Sequence, residues 1–162
     1  MSKKRRVAVV SDKSGFPLKK AVAEYLASRD DVEVIDFGLN SAEENEPYDG
    51  QAPKVARAIQ NGDADLGIAI CGTGQGMGIV ANKFRGVYAV VADTIFAAER
   101  GKIINNANVL TMGGWITAPF LGVQIAKAWL DAEFTVGMDD RAEWLKAAYG
   151  RVQKLEEENS GS

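Results

Sequence analysis

At 162 residues, with 46% hydrophobic and 25% charged side chains, the chain can bury one sizeable core and has the composition of an ordinary globular protein. A net charge of -3 gives no bulk electrostatic reason to expect a nucleic acid or a membrane surface as partner. The absence of histidine and the single cysteine remove imidazole acid–base chemistry, histidine metal sites and any internal disulfide, and fit a reducing cytoplasm.

The basic cluster Lys3 to Arg6 runs straight into a β-branched strand, Val7 to Val10, and reads as a solvated strand entry. No signal-peptide pattern opens the chain, and no apolar run reaches the about 18 residues of a membrane span. After Ser11-Asp12-Lys13-Ser14-Gly15, residues Leu18, Val22, Tyr25 and Leu26 fall at helical spacing, with Lys19, Lys20 and Glu24 on the other face. Val32 to Phe37 is a second strand. Leu39 to Gln51, rich in Asn, Glu, Ser, Pro and Gly, reads as a long loop with a binding role, its Glu43, Glu44 and Glu46 solvated. Ala52 to Gln60 is helical and ends at Asn61-Gly62.

The third strand, Leu66 to Ile70, is an unbroken apolar run that stops at Cys71. Glycine then stands at every second place, Gly72, Gly74, Gly76 and Gly78, before a helix expected to open at Ile79 to Lys83. A strand that ends in a glycine-rich loop and resumes as a helix collects backbone N–H groups, and glycine lets a ligand approach them closely. Cys71 is therefore a candidate base or nucleophile beside a cradle for negative charge. Val87 to Val91 is a fourth strand, Asp93-Thr94 caps the next helix, and Asn105 to Asn108 turns into a fifth strand, Val109 to Met112, closed by Gly113-Gly114. A long helix runs from Thr117 to Leu130, and a loop from Glu133 to Asp140 precedes a last helix carrying Trp144, Leu145, Tyr149 and Leu155. The tail, 156–162, is expected to fray.

None of the five strands alternates apolar and polar residues strongly, so both sheet faces are expected to be covered. The expectation is a single domain over 1–162: a Rossmann-like, doubly wound α/β fold with a five-stranded parallel sheet and a C-terminal helix that packs on a partner subunit. Ligands in such sheets sit past the carboxyl ends of the strands. That rule is expected to collect Asp12-Lys13, Cys71 to Gly76, Asp93-Thr94 and Asn105 on one edge. There, Cys71 could take a proton from a carbon next to a carbonyl, with the loop N–H groups and the Thr73 hydroxyl on the enediolate oxygens. Lys13 is a natural partner for a phosphate. The glycine pattern also evokes a dinucleotide fingerprint, but it follows the third strand rather than the first, and no acidic residue closes the fourth.

Ser11-Asp12-Lys13-Ser14-Gly15, Cys71 to Gly76, Ala81-Asn82-Lys83 and Asn105 to Leu110 together resemble the ribose-5-phosphate isomerase B and galactose-6-phosphate isomerase family, in order, from about Val7 to Phe134. The resemblance implies aldose–ketose isomerisation of a sugar phosphate through a cis-enediolate, without metal or organic cofactor, on ribose 5-phosphate and ribulose 5-phosphate or a related substrate. It implies a homodimer, or a tetramer, with sites at the subunit interface. By position, Cys71 matches the family's base and Thr73 lies in the enediolate-binding loop. Asp12, Lys13, Tyr48, Gly72, Gly74, Gln75, Gly76, Asn105 and Arg141 fall at substrate-binding positions.

The departures are specific. The family's Asp-His is Asp12-Lys13, as in one galactose-6-phosphate isomerase subunit. The histidine that helps open the furanose ring falls on Ile104, the arginine after the fifth strand falls on Trp115, and Arg141 stands in a segment that has lost its Gly-Gly-Arg-His pattern. Three readings of the missing ring opener stay open: spontaneous opening, help from Asp12 or a water, or a substrate that needs no opening, such as a four-carbon keto-sugar phosphate. The alternatives to an enzyme are a non-catalytic sugar-phosphate binder or regulatory subunit, and a flavodoxin-like nucleotide module.

Overall fold

The computed structural model describes residues 3–160. Five parallel strands form one sheet in the order β2-β1-β3-β5-β4: β1 (Arg5–Ser11), β2 (Val32–Asp36), β3 (Leu66–Cys71), β4 (Ala89–Val91) and β5 (Val109–Gly113). The three central strands are buried along most of their length, which explains why they read as apolar runs. Helices α1 (Phe16–Ala27), α4 (Ile95–Asn105) and α5 (Pro119–Asp131) pack on one face. Helices α2 (Tyr48–Gln60) and α3 (Gln75–Ala81) pack on the other. Two apolar clusters result. One joins Leu18, Ile68, Ile70, Leu110, Ile125 and Trp129; the other joins Val10, Val55, Ala69, Cys71, Met77 and Val109.

The strand order positions the site. From β1 the chain moves to β2 on one side, then returns to lay β3 on the other, so the order reverses between β1 and β3. A crevice opens past the strand ends at such a switch point. Ser11 and Cys71 end the two strands that flank it. β5 then inserts beside β3, pairing Gly113 with Cys71, so the loop after β5 lies next to the loop after β3.

Several elements differ from the sequence reading. The loop after β2 is shorter, because α2 starts at Tyr48: Gln51 is fully buried and donates through Nε2 to Glu46, which also takes Lys54 Nζ. Glu46 is thus an anchor for the loop rather than a solvated charge. Lys19, expected on a polar face, is 2% exposed, and its Nζ donates to Asp36 Oδ1 and Oδ2 at 2.9 and 2.8 Å and to the Leu39 carbonyl at 2.6 Å. Helix α3 starts at Gln75 inside the glycine run, four residues before Ile79. The last helix, α6 (Ala142–Asn159), continues past 156. Glu156 accepts from Gly86 N–H and from the Tyr88 hydroxyl, both at 2.9 Å. Burial, with the Glu156 carboxylate second, holds that hydroxyl well above the usual phenol range. Residues 161–162 of the tail lie outside the described residues. Among the described residues no helix is long and apolar enough to cross a membrane.

Candidate active site

Cys71 is the last residue of β3 and only 4% exposed. Its Sγ accepts a hydrogen bond from the Gly74 N–H at 3.1 Å. That bond strengthens when the sulfur carries negative charge. Gly74 can aim its N–H backwards because its φ is +78°, a left-handed conformation that costs glycine little. The Gly74 carbonyl is held in turn by the Thr111 hydroxyl at 2.9 Å and by the Gly78 N–H at 3.1 Å. None of the hydrogen bonds among the described residues takes up the N–H groups of Gly72 and Thr73. These two donors stand beside the sulfur and suit an oxyanion. Thr73 Oγ1 accepts only a long bond, 3.4 Å from Gln75 N–H, which leaves its proton free to donate.

Asp12 follows β1 across the switch point, tied to β3 by its N–H on the Ile70 carbonyl at 3.1 Å. Its Oδ1 accepts from Ser14 Oγ at 2.6 Å and Gly15 N–H at 3.0 Å, while Oδ2 has no partner among the described residues. Tyr48, the first residue of α2, lays its ring against Gly76. A pocket of about 390 Å³ brings these groups together: Asp12, Tyr48, Cys71, Gly72, Thr73 and Gly76 line it. So do Ser14, Ile79 and Trp115, none of which the sequence reading selected as site residues. Ser14 was legible as the hydroxyl of the turn that receives Asp12. Ile79 becomes legible only once α3 is known to begin at Gln75, one turn earlier.

The remaining candidates lie elsewhere. Gly74 sits beneath the loop as a support for the sulfur. Lys13 and Gln75 are exposed beside the pocket without lining it. Asn105 is not on the Cys71 edge. Helix α4 runs back against the strand direction, so its last residue arrives where β5 begins, at the opposite edge. There Asn105 and Ile104 line a second pocket, of about 350 Å³, with Tyr88, Trp144 and Tyr149. Arg141 caps the start of α6, next to a loop whose Thr135 N–H donates to the Ile103 carbonyl at 2.9 Å, so it too belongs to the α4 end. Among the described residues of one chain, then, the only charged side chain lining the Cys71 pocket is Asp12. Among the described residues no cluster of His, Cys, Asp and Glu is arranged to hold a metal ion.

A family model described as ribose/galactose isomerase matches residues 7–145. A 4-deoxy-4-sulfo-D-erythrose isomerase of Clostridium sp. (strain MSTE9) is 46% identical over 153 residues, 94% of this chain and 96% of that one. A D-erythrulose-4-phosphate isomerase of Pectobacterium atrosepticum is 37% identical over 131 residues, 81% and 86% of the two chains. Among solved structures, ribose-5-phosphate isomerase B of Clostridium thermocellum superposes with a TM-score of 0.85 at 34% identity, over 95% of this chain and 99% of that one.

Proposed function

The chain belongs to the ribose/galactose isomerase family, and on that premise we propose that it is an aldose–ketose isomerase acting on a four-carbon sugar with an anionic group on its fourth carbon. The observation that carries the chemistry is the Cys71 sulfur, held by the Gly74 N–H beside the free N–H groups of Gly72 and Thr73. As a thiolate, Cys71 takes the proton from the carbon next to the carbonyl. The electron pair moves onto the carbonyl oxygen, and the resulting enediolate is met by the loop N–H groups and the Thr73 hydroxyl. The same thiol then returns its proton to the neighbouring carbon. The hydroxyl proton that must cross between the two oxygens passes through Asp12 Oδ2, the carboxylate oxygen left free by Ser14 and Gly15.

The substrate class follows from what the site offers for ring opening. The chain has no histidine, and among the described residues Asp12 is the only carboxyl in the pocket. An aldose of four carbons whose C4 carries phosphate or sulfonate has no C4 hydroxyl with which to close a five-membered ring, so it arrives open. Two of the relatives above carry names of four-carbon substrates of this kind. Among the described residues no cation lines the pocket, which suits an end group gripped from outside the single chain.

That grip comes from a second copy in a homodimer. Ile79, Phe96, Trp115, Ile116 and Phe120 are all more than half exposed near the ends of the strands, an apolar surface that favours burial against a partner. Asn105 and Arg141, stranded at the other end of their own chain, are the groups such a partner would bring. Mixing Cys71→Ala protein with Asn105→Ala protein then restores activity through hybrid dimers, and no restoration contradicts the shared site.

A substrate panel followed by NMR tests the assignment. Erythrose carrying phosphate or sulfonate on C4 is turned over at least about tenfold more efficiently than ribose 5-phosphate. A preference for ribose 5-phosphate removes the four-carbon assignment, and no turnover of any aldose removes the isomerase.

A further inference from the structure

Two glycines of the Cys71 loop are pressed by aromatic rings. A methyl group on Gly72 would lie 2.7–2.8 Å from Cε3, Cδ2 and Cζ3 of Trp115, and one on Gly76 would lie 2.7–3.0 Å from Cδ2, Cε2 and Cγ of Tyr48. Each ring therefore rests directly on the main chain of the loop, one near each end, with Cys71 and Thr73 lining the same pocket. Trp115 is tethered there by backbone bonds. Its N–H donates to the Gly72 carbonyl at 2.9 Å, and the preceding Gly114 N–H donates to the Cys71 carbonyl at 2.8 Å. The indole turns its six-membered ring to Gly72, its own N–H bonds to none of the described residues, and 76% of the residue's surface is exposed. Besides its place on the apolar surface offered to a partner, the ring lines the Cys71 pocket and so stands within reach of the ligand.

We propose that Trp115 is a specificity-determining residue, whose indole closes the Gly72 end of a slot bounded at the other end by Tyr48 and so limits the substrate to four carbons. The proposal rests on the four-carbon reading above and assigns it to one side chain. A longer sugar phosphate must push its extra carbon and its phosphate against the indole, which carries no charge to meet the phosphate. The ring cannot sink to make room, because the Gly72 backbone is already in contact with it.

The test compares wild type with Trp115→Ala and Trp115→Phe in two ways. The first is the ratio of kcat/KM for ribose 5-phosphate over erythrose 4-phosphate. Trp115→Ala raises it about 10–200-fold, the range that one methylene is worth in a pocket, and Trp115→Phe leaves it within about threefold. A residue that only supports the loop would lower both activities by one factor and leave the ratio unmoved, which overturns the proposal. The second readout needs no turnover: binding of the non-reacting acids 4-phospho-D-erythronate and 5-phospho-D-ribonate by calorimetry. Wild type prefers the shorter acid and Trp115→Ala loses that preference. Equal preference in both proteins overturns the slot. Discrimination without any isomerisation by wild type overturns the enzymatic reading and leaves the slot standing.

Discussion

Replacing Gly74 by alanine perturbs the support of the sulfur without substituting any residue that lines the pocket. The φ of +78° costs an L-residue about 1–2 kcal/mol. The new methyl would stand 2.9 Å from the Met112 carbonyl carbon and 3.1 Å from its Cα, both backbone atoms of β5 that cannot swing aside. Relief must come from the loop, and overpacking of this kind adds about 1–3 kcal/mol. A total of about 3 kcal/mol lowers Tm by about 6–12 °C for a chain of this size. Moving the Gly74 N–H from its 3.1 Å contact also misplaces the sulfur, and a shift on the order of 1 Å costs about 10²-fold in kcat. Urea unfolding followed by circular dichroism measures the first effect and steady-state turnover the second. Thr111→Val, which deletes the hydroxyl bond to the Gly74 carbonyl without touching φ, should cost about 1 kcal/mol. A Gly74→Ala protein within about 0.5 kcal/mol of wild type would refute the claim that backbone geometry holds the loop.

Removing Asp36 leaves the buried Lys19 ammonium with the Leu39 carbonyl alone, so Asp36→Ala loses about 1–3 kcal/mol in urea unfolding, and an unchanged midpoint would contradict the anchor. Burial pulls the Lys102 ammonium, 5.4 Å above the Trp129 ring, down to about 8 from its ordinary 10.5. Between these values the unfolded chain holds a proton that the folded one lacks, so this lysine makes stability rise with pH from about 8 to 10.5. Lys102→Met flattens the Tm-versus-pH slope in that window, and equal slopes in the two proteins would contradict the assignment.

What could be read from the chain depended on whether local or tertiary forces decided each element. β3 was legible because burial on both faces leaves no polar position in Leu66 to Ile70, and Thr94 was legible as a cap, which its Oγ1 confirms by accepting from Ala97 N–H at 3.0 Å. Tyr48 looks like loop because its neighbours Pro47, Asp49 and Gly50 are poor helix formers. Buried Gln51 and the Glu46 anchor overrule propensity there. Spacing alone puts Lys19 on a wet face, and only the fold supplies the carboxylate and carbonyl that let it be buried. Asn105 lies at the opposite edge from Cys71 because the helix of a crossover carries the chain back, so the residues just before a strand lie where strands begin. Trp115 was not legible as a wall. Its contact with Gly72 requires β5 to insert beside β3, and no local pattern announces that order.

The most direct measurement is turnover by Cys71→Ala on the preferred four-carbon substrate, with exchange of the transferred hydrogen in D2O followed by NMR. If Cys71 is the base, kcat falls by about 10²–10⁴ while KM changes little, and exchange into recovered substrate falls with it. A Cys71→Ala protein that keeps kcat within about twofold, or that still exchanges the hydrogen at the wild-type rate, would contradict the account.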